Sequence, residues 1–229
     1  MPQPPNPKAP HNPRNRLSLN DLRAAARLVN AALVGIVGFS GSWAHNARKD
    51  AKQVARNALT GLFRRQSNAG QPPADLWCVS GATNFGVPAL AYEVSTELHI
   101  PRIGLTAREA LRYKLAELDV LTLVGRRFGD ESRAFVDLCD VFWMIGGGSQ
   151  SEAEMRLAAK RGKPIVVVQG LGGRADHMTL TELPTAQFLD CDTLEVRSPD
   201  RDRKTYLRVA GQAARALPHT APATSGPVC

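Results

Sequence analysis

The stretch Val141-Phe142-Trp143-Met144-Ile145-Gly146-Gly147-Gly148-Ser149-Gln150-Ser151-Glu152-Ala153-Glu154 decides how this chain is read. Five apolar residues form a strand without polar alternation, the mark of a strand covered on both faces. A glycine turn follows, and the polar residues after it open a helix. That order presents a row of backbone N–H groups, together with the positive end of a helix dipole, to an anion. Consecutive glycines remove the Cβ atoms that would hold a phosphate at a distance. Glu154, one turn into the helix, is placed to accept hydrogen bonds from hydroxyls beside that phosphate. The local chemistry is that of a nucleotide or sugar-phosphate cradle.

Outward from this stretch, near-continuous apolar runs alternate with helical patterns. Leu33 to Phe39 reads as a first strand and Leu76 to Ser80 as a second. Arg102 to Leu105, Val120 to Val124, Val141 to Ile145 and Ile165 to Val168 follow, with a last strand expected over Thr193 to Val196. Helices are expected over Ser18 to Asn30, Asn46 to Arg65, Ala89 to Glu97, Ala107 to Glu117, Glu131 to Cys139, Ser151 to Arg161 and Tyr206 to Leu217. Ser18 with Asp21 three places on is a helix-start pattern. The alternation predicts an α/β fold, a Rossmann-like three-layer sandwich with a mainly parallel sheet. One domain over 16–217 is expected, between a disordered Pro/Asn/Gln-rich tail at 1–15 and a flexible tail at 218–229.

The 229 residues, 43% hydrophobic and 22% charged, have the composition of a globular protein with a sizeable core. No apolar run is long enough to cross a bilayer, and Met1-Pro2-Gln3-Pro4-Pro5 lacks the apolar core of a secretory leader. A cytoplasmic location is therefore expected. Cys78, Cys139, Cys191 and Cys229 show no metal-ligand spacing, so no metal site is expected. No cofactor other than the ligand itself is called for. The net charge of +8 invites a nucleic-acid reading, but aromatics are sparse at 6% and acidic residues interleave with the basic stretch Arg197 to Arg208. A solvated basic surface is favoured, one that attracts an anionic small ligand.

Ligands of such sheets bind outside the carboxyl ends of the strands, where strand order reverses. Three strand ends here carry glycine and small polar residues: Gly38, Ser40, Gly41 and Ser42 after the first; Gly81, Thr83, Asn84 and Gly86 after the second; and Gly147, Gly148, Ser149, Gln150 and Ser151 after the fifth. Together they are expected to bind phosphate and the groups next to it. Neither G-x-G-x-x-G nor G-K-[ST] is present at any of them, which argues against an ordinary dinucleotide dehydrogenase or NTPase. Ser40 and Ser42 also suit helix capping, and Glu154 also suits a first-turn helix acid. Asp130 is expected to cap the helix after Gly129. Arg126 and Arg127, after the fourth strand, either stand in solvent or reach phosphate as charged forks. Gly172-Gly173-Arg174-Ala175-Asp176-His177 is expected to form a flap, with Arg174 toward phosphate.

Gly146 through Glu154 resembles the PGGxGTxxE motif of the lonely-guy (LOG) proteins, often labelled lysine decarboxylase-like, within the SLOG superfamily of Rossmann-like nucleotide binders. Gly147, Gly148 and Glu154 match; Gly146, Gln150 and Ser151 stand where the motif has proline, glycine and threonine. Phe39-Ser40-Gly41-Ser42 is similar to that family's first-strand loop, Gly81 to Val87 to its second glycine loop, and Asp140 stands where it often has aspartate. The resemblance covers roughly residues 33–170. It implies a nucleotide ligand, a homodimer and, in the phosphoribohydrolase branch, an arginine working with the motif glutamate on an N-glycosidic bond. Glu131 and Ser132 hold the places of that branch's Arg-Lys pair, and Arg133, one residue on, is turned by ~100° on a helix. A nucleotide-binding sensor or carrier is the expected function. The alternatives are a nucleoside monophosphate phosphoribohydrolase using Glu154 and Glu131, and a DNA-processing type of nucleic-acid binder.

Overall fold

A computed structural model describes residues 15–41, 50–57, 59 and 75–191. Seven strands form one sheet in the order β4-β3-β2-β1-β5-β6-β7, and every neighbouring pair is parallel. The strands are β1 (Ala32–Gly38), β2 (Leu76–Ser80), β3 (Arg102–Thr106), β4 (Val120–Leu123), β5 (Val141–Ile145), β6 (Ile165–Gln169) and β7 (Ala186–Asp190). Helices α1 (Leu19–Leu28), α2 (50–57), α3 (Gly86–Glu97), α4 (Ser132–Leu138) and α5 (Ser149–Lys160) cover it. The chain is a Rossmann-like α/β protein.

The apolar runs pack on both faces. Ala51, Val54 and Leu59 from the α2 segment and Leu90 and Val94 from α3 cover one side of the sheet. Leu22 of α1, Phe135 of α4 and Met155 of α5 cover the other. All five residues of β5 are buried, as are the first six of β1. Burying side chains of this size against two helical layers supplies most of the folding drive, at ~25 cal/mol per Å² of apolar surface removed from water.

Strand order turns at β1. Chain progress runs outward through β2, β3 and β4 on one side and through β5, β6 and β7 on the other. The loops after β1 and β5 therefore leave toward opposite faces and open a crevice between them. Gly38 closes the pair tightly: a Cβ there would lie 2.3 Å from Val87 Cγ2 of α3 and 2.4 Å from the Ile145 carbonyl.

Local expectations and structure differ in identifiable places. Ser18 does cap α1, its Oγ accepting the Asp21 N–H at 3.2 Å. The expected helix over Ala107 to Glu117 is only a 3-10 turn at Arg108–Arg112. Residues after it run extended because Leu115 bridges Thr83, and the Ala116 and Asn84 N–H groups bond the Ala82 and Lys114 carbonyls. Pairing with the β2 loop overrides the helical pattern. Strand β7 is not foreseen by the sequence pattern; only Ala186, Phe188 and Leu189 are buried, too short a run to stand out next to Pro184. The strand expected over Thr193 to Val196, the helix over Tyr206 to Leu217 and nearly all of the expected tails lie outside the described residues.

Gly35 tests the packing of β1. A Cβ there would sit 2.7 Å from the Phe142 ring and 3.2 Å from Cys139 Sγ, both buried. Overpacking of this kind costs ~1–3 kcal/mol. Gly35→Ala is expected to lower the urea midpoint of unfolding with an unchanged slope. An unshifted midpoint would mean that β1 and β5 tolerate wider spacing than described.

Candidate functional site

The carboxyl ends of β1, β2 and β5 meet in a cavity of about 390 Å³. One wall is the start of α5. Gly148 is the N-cap, so the N–H groups of Ser149, Gln150 and Ser151 are the first three of the helix and have no intrahelical acceptors by position. Gly148 has nothing within 4 Å of where a Cβ would stand, so a side chain there would project into open space at the cavity edge. Ser151 Oγ donates to the Gly38 carbonyl at 3.2 Å and ties this wall to the end of β1.

Much of the remaining lining is aromatic: Phe39, Phe85, Tyr113, Phe128 and Phe135. Tyr113 packs edge-on to Phe85 with centroids 6.0 Å apart and lies 5.9 Å from Phe128. A flat heterocycle fits against such faces, since offset and edge-to-face contacts suit aromatic pairs.

The floor carries two acids. Glu154 accepts a hydrogen bond from Ser132 Oγ at 2.6 Å and one from Gln150 Nε2 at 3.1 Å. Gln150 Nε2 also lies 3.2 Å from a Glu131 oxygen, while the other Glu131 oxygen accepts the Gly129 N–H at 2.9 Å. Gln150 thus bridges the two carboxylates. Burial pushes both above the usual glutamate range, against the opposing pull of these hydrogen bonds. In Glu154 the Glu131 charge adds to the rise.

The expected site residues divide. Gly38, Ser40, Gly81, Thr83, Gly148, Ser149, Gln150, Ser151, Glu131 and Glu154 all line the cavity. Gly41, Asn84, Gly86 and Gly147 do not. Gly86, at φ 64°, would put a Cβ 2.2 Å from the Phe39 carbonyl, and its neighbour Val87 donates to that oxygen, so this glycine lets α3 dock on the β1 loop. Gly147, at φ 101°, makes room for Ser151 and offers its carbonyl to the Arg174 N–H at 2.8 Å. Asn84 borders a different depression, beside Lys114 and Glu117. Ser42 lies outside the described residues.

Other expectations resolve structurally. Asp130 does not cap α4; Glu131 occupies that position, and the Asp130 carboxylate turns back to the N–H groups of Arg126 and Arg127 at 2.8 and 3.0 Å. Those bonds hold it below the usual aspartate range. Asp140 accepts the Leu33 N–H at 2.9 Å, joining β1 and β5 at the end of the sheet away from the cavity. Arg174 does not line the cavity and instead lies 3.4 Å from Glu152. The Gly170–His177 segment is pinned by Asp176, whose carboxylate accepts the Gly170 and Gly172 N–H groups. The aromatic wall escapes a reading of residues in order because its members come from five separate segments. No metal-binding cluster of His, Cys, Asp and Glu occurs among the described residues, and no described helix is long and apolar enough to cross a membrane.

This combination of parallel sheet, reversed strand order and glycine-lined crevice defines a Rossmann-like α/β protein. No family model and no curated protein sequence matches the chain. Solved structures are similar to it. The structural-genomics protein TM1055 superposes with a TM-score of 0.52 at 23% identity, over 71% of this chain and 88% of that one. A molybdenum cofactor binding protein from the phototrophic bacterium Rippkaea orientalis gives 0.53 at 18% identity, over 69% and 89%. A Moco carrier protein from Chlamydomonas reinhardtii gives 0.53 at 17%, over 81% and 98%. At these identities the likeness is one of fold.

The acid pair has a measurable consequence. A carboxyl whose folded pKa is raised above its unfolded value adds stability that is present below the unfolded pKa and lost as pH rises through the folded one. Glu154→Gln keeps an acceptor for Ser132 and removes the buried charge. Its melting temperature is expected to exceed that of the unaltered protein at pH 7, with the gap closing as pH falls toward ~4, near the ordinary glutamate pKa. A gap that stays constant with pH would show that Glu154 is not the titrating group.

Proposed function

We propose that this protein binds a small nucleotide or nucleotide-derived cofactor in the crevice at the ends of β1, β2 and β5, as a carrier or sensor. The observation that carries the reading is the cavity lined both by a helix N-terminus and by a group of aromatic rings. A phosphate suits the N–H groups of Ser149, Gln150 and Ser151 and the hydroxyls of Ser40 and Ser149. A base or a related fused heterocycle suits Phe39, Phe85 and Tyr113. Ribose hydroxyls or ring amino groups, as donors, suit Glu131 and Glu154. A ligand phosphate and two carboxylates repel when all are charged, and burial that favours the neutral acids lessens this. The fold shared with a molybdenum cofactor binding protein and a Moco carrier protein supports a carrier role.

An enzymatic reading rests on the same acids: with its pKa raised, Glu154 could act on an N-glycosidic bond of a nucleoside monophosphate. Binding is preferred because Ser132, not a cation, faces Glu154, and Arg133 is exposed and away from the cavity.

Thermal shift against nucleoside mono- and diphosphates, cyclic nucleotides, ADP-ribose and a pterin phosphate is expected to find a stabilising compound. Gly148→Trp, which fills the cavity edge, should abolish that shift while leaving the unliganded melting temperature within a few degrees. No response to any compound, or an undiminished response in the variant, would remove the assignment. Release of free base from a nucleoside monophosphate, lost in Glu154→Gln, would favour the enzymatic reading instead.

A further inference from the structure

Beside the cavity, on the far side of Tyr113 and Phe128, four arginines surround a second depression. Arg108 and Arg112 come from the turn after β3, and Arg126 and Arg127 from the loop after β4, with Glu109 between them. Among the described residues none of the four guanidinium groups makes a salt bridge within 4 Å, and only Arg127 is near enough to a carboxylate, Asp130, to lower its pKa; elsewhere on the surface Arg102 pairs with Asp119 and Arg156 with Glu152 and Glu182.

The two acids near the cluster are already engaged with backbone. Glu109 accepts the Phe128 N–H at 3.1 Å, and Asp130 accepts those of Arg126 and Arg127. The Glu109 N–H donates to the Arg126 carbonyl at 3.0 Å, and the Arg108 N–H to that of Gly125 at 3.4 Å. These bonds clamp the two loops together and bring like charges side by side, an arrangement whose mutual repulsion an anion would relieve. Guanidinium forks match phosphate oxygens two at a time. The cluster neighbours the cavity along the chain: Arg112 precedes Tyr113 and Arg127 precedes Phe128, and both rings line the cavity. Phe128 is 41% exposed.

Resting on the binding reading above, we infer that the arginine cluster is a second anion subsite of the same ligand, which is therefore of dinucleotide type, with one phosphate at the start of α5 and the other drawn toward Arg108, Arg112, Arg126 and Arg127. The sheet sets the span. β3 and β4 stand three and four places from β5, which at ~4.8 Å per strand is about 14–19 Å. The arginine side chains shorten that distance. A mononucleotide, with its charge at one end, satisfies only the first subsite. A dinucleotide stacked over Tyr113 and Phe128 reaches both.

Calorimetric titration of the full chain with linear 5′-phosphorylated AMP and GMP, their dinucleotides and a ten-residue oligonucleotide tests this. The dinucleotide of the preferred base should bind at least about tenfold tighter than its mononucleotide, the scale of one added charge-assisted hydrogen bond. Arg126→Ala with Arg127→Ala should erase that gain and leave mononucleotide affinity unchanged. Removing each arginine–phosphate interaction should also flatten the log–log salt dependence by ~0.7. Equal affinities for mono- and dinucleotide, or a gain retained in the double variant, would overturn the second subsite while the cavity reading stands. Affinity that keeps climbing to the ten-residue strand would overturn it in favour of a polynucleotide groove. No binding of any of these probes would overturn the dinucleotide assignment, while the cavity reading is decided by the wider thermal-shift panel.

Discussion

The pairing of β1 with β5 is the constraint on which the site depends. The two strands run in register from Val34 with Val141 to Gly38 with Ile145. Asp140 clasps β1 at one end through the Leu33 N–H, and Gly38 brings the chains together at the other with no room for a side chain. Because chain progress turns in opposite directions from this pair, the loops that follow must part, and the space between them cannot be filled by a crossover. The start of α5, the Phe39 loop and the end of β2 all take their positions from it. A few tenths of an ångström of slack at Gly38 would displace Val87, and with it the helix that Gly86 docks against Phe39.

Opposite electrostatic demands share this crevice. The first turn of α5 favours an anion, while Glu131 and Glu154 would repel one if both were fully charged. Gln150 reconciles them. It begins the helix, and its amide nitrogen reaches both carboxylates, so the acids are satisfied without a cation. Burial then biases them toward their neutral forms.

Much of the fold could be read from residues in order. Val141 to Ile145 and Ile165 to Val168 are continuous apolar runs, and such runs separated by helical periods specify a covered parallel sheet. Ser18 and Asp21 marked a helix start by local chemistry alone, and both acted as expected. Where distant segments decide, local pattern misled. Ala107 to Glu117 has helical periodicity, yet its second half pairs with residues 82–84. Asp130 has a capping residue's chemistry but found better donors four residues back. The glycines show the same division: Gly148 faces open space, whereas Gly86 and Gly147 serve docking and turn geometry, a difference invisible in the residue type.

By itself the sequence determined the strand–turn–helix unit at Val141 to Glu154 and the α/β alternation around it, because both follow from short-range geometry and periodicity. It also marked Glu131 and Ser132 as the residues standing in place of an Arg-Lys pair. Only the tertiary structure decided that Glu131, Ser132, Gln150 and Glu154 form one hydrogen-bonded group. Only it gathered five aromatic rings from separate segments around the cavity, and set four arginines near them. The physical reason is that these groups join residues as much as about 115 positions apart, and their proximity is set by strand order, which no local spacing encodes.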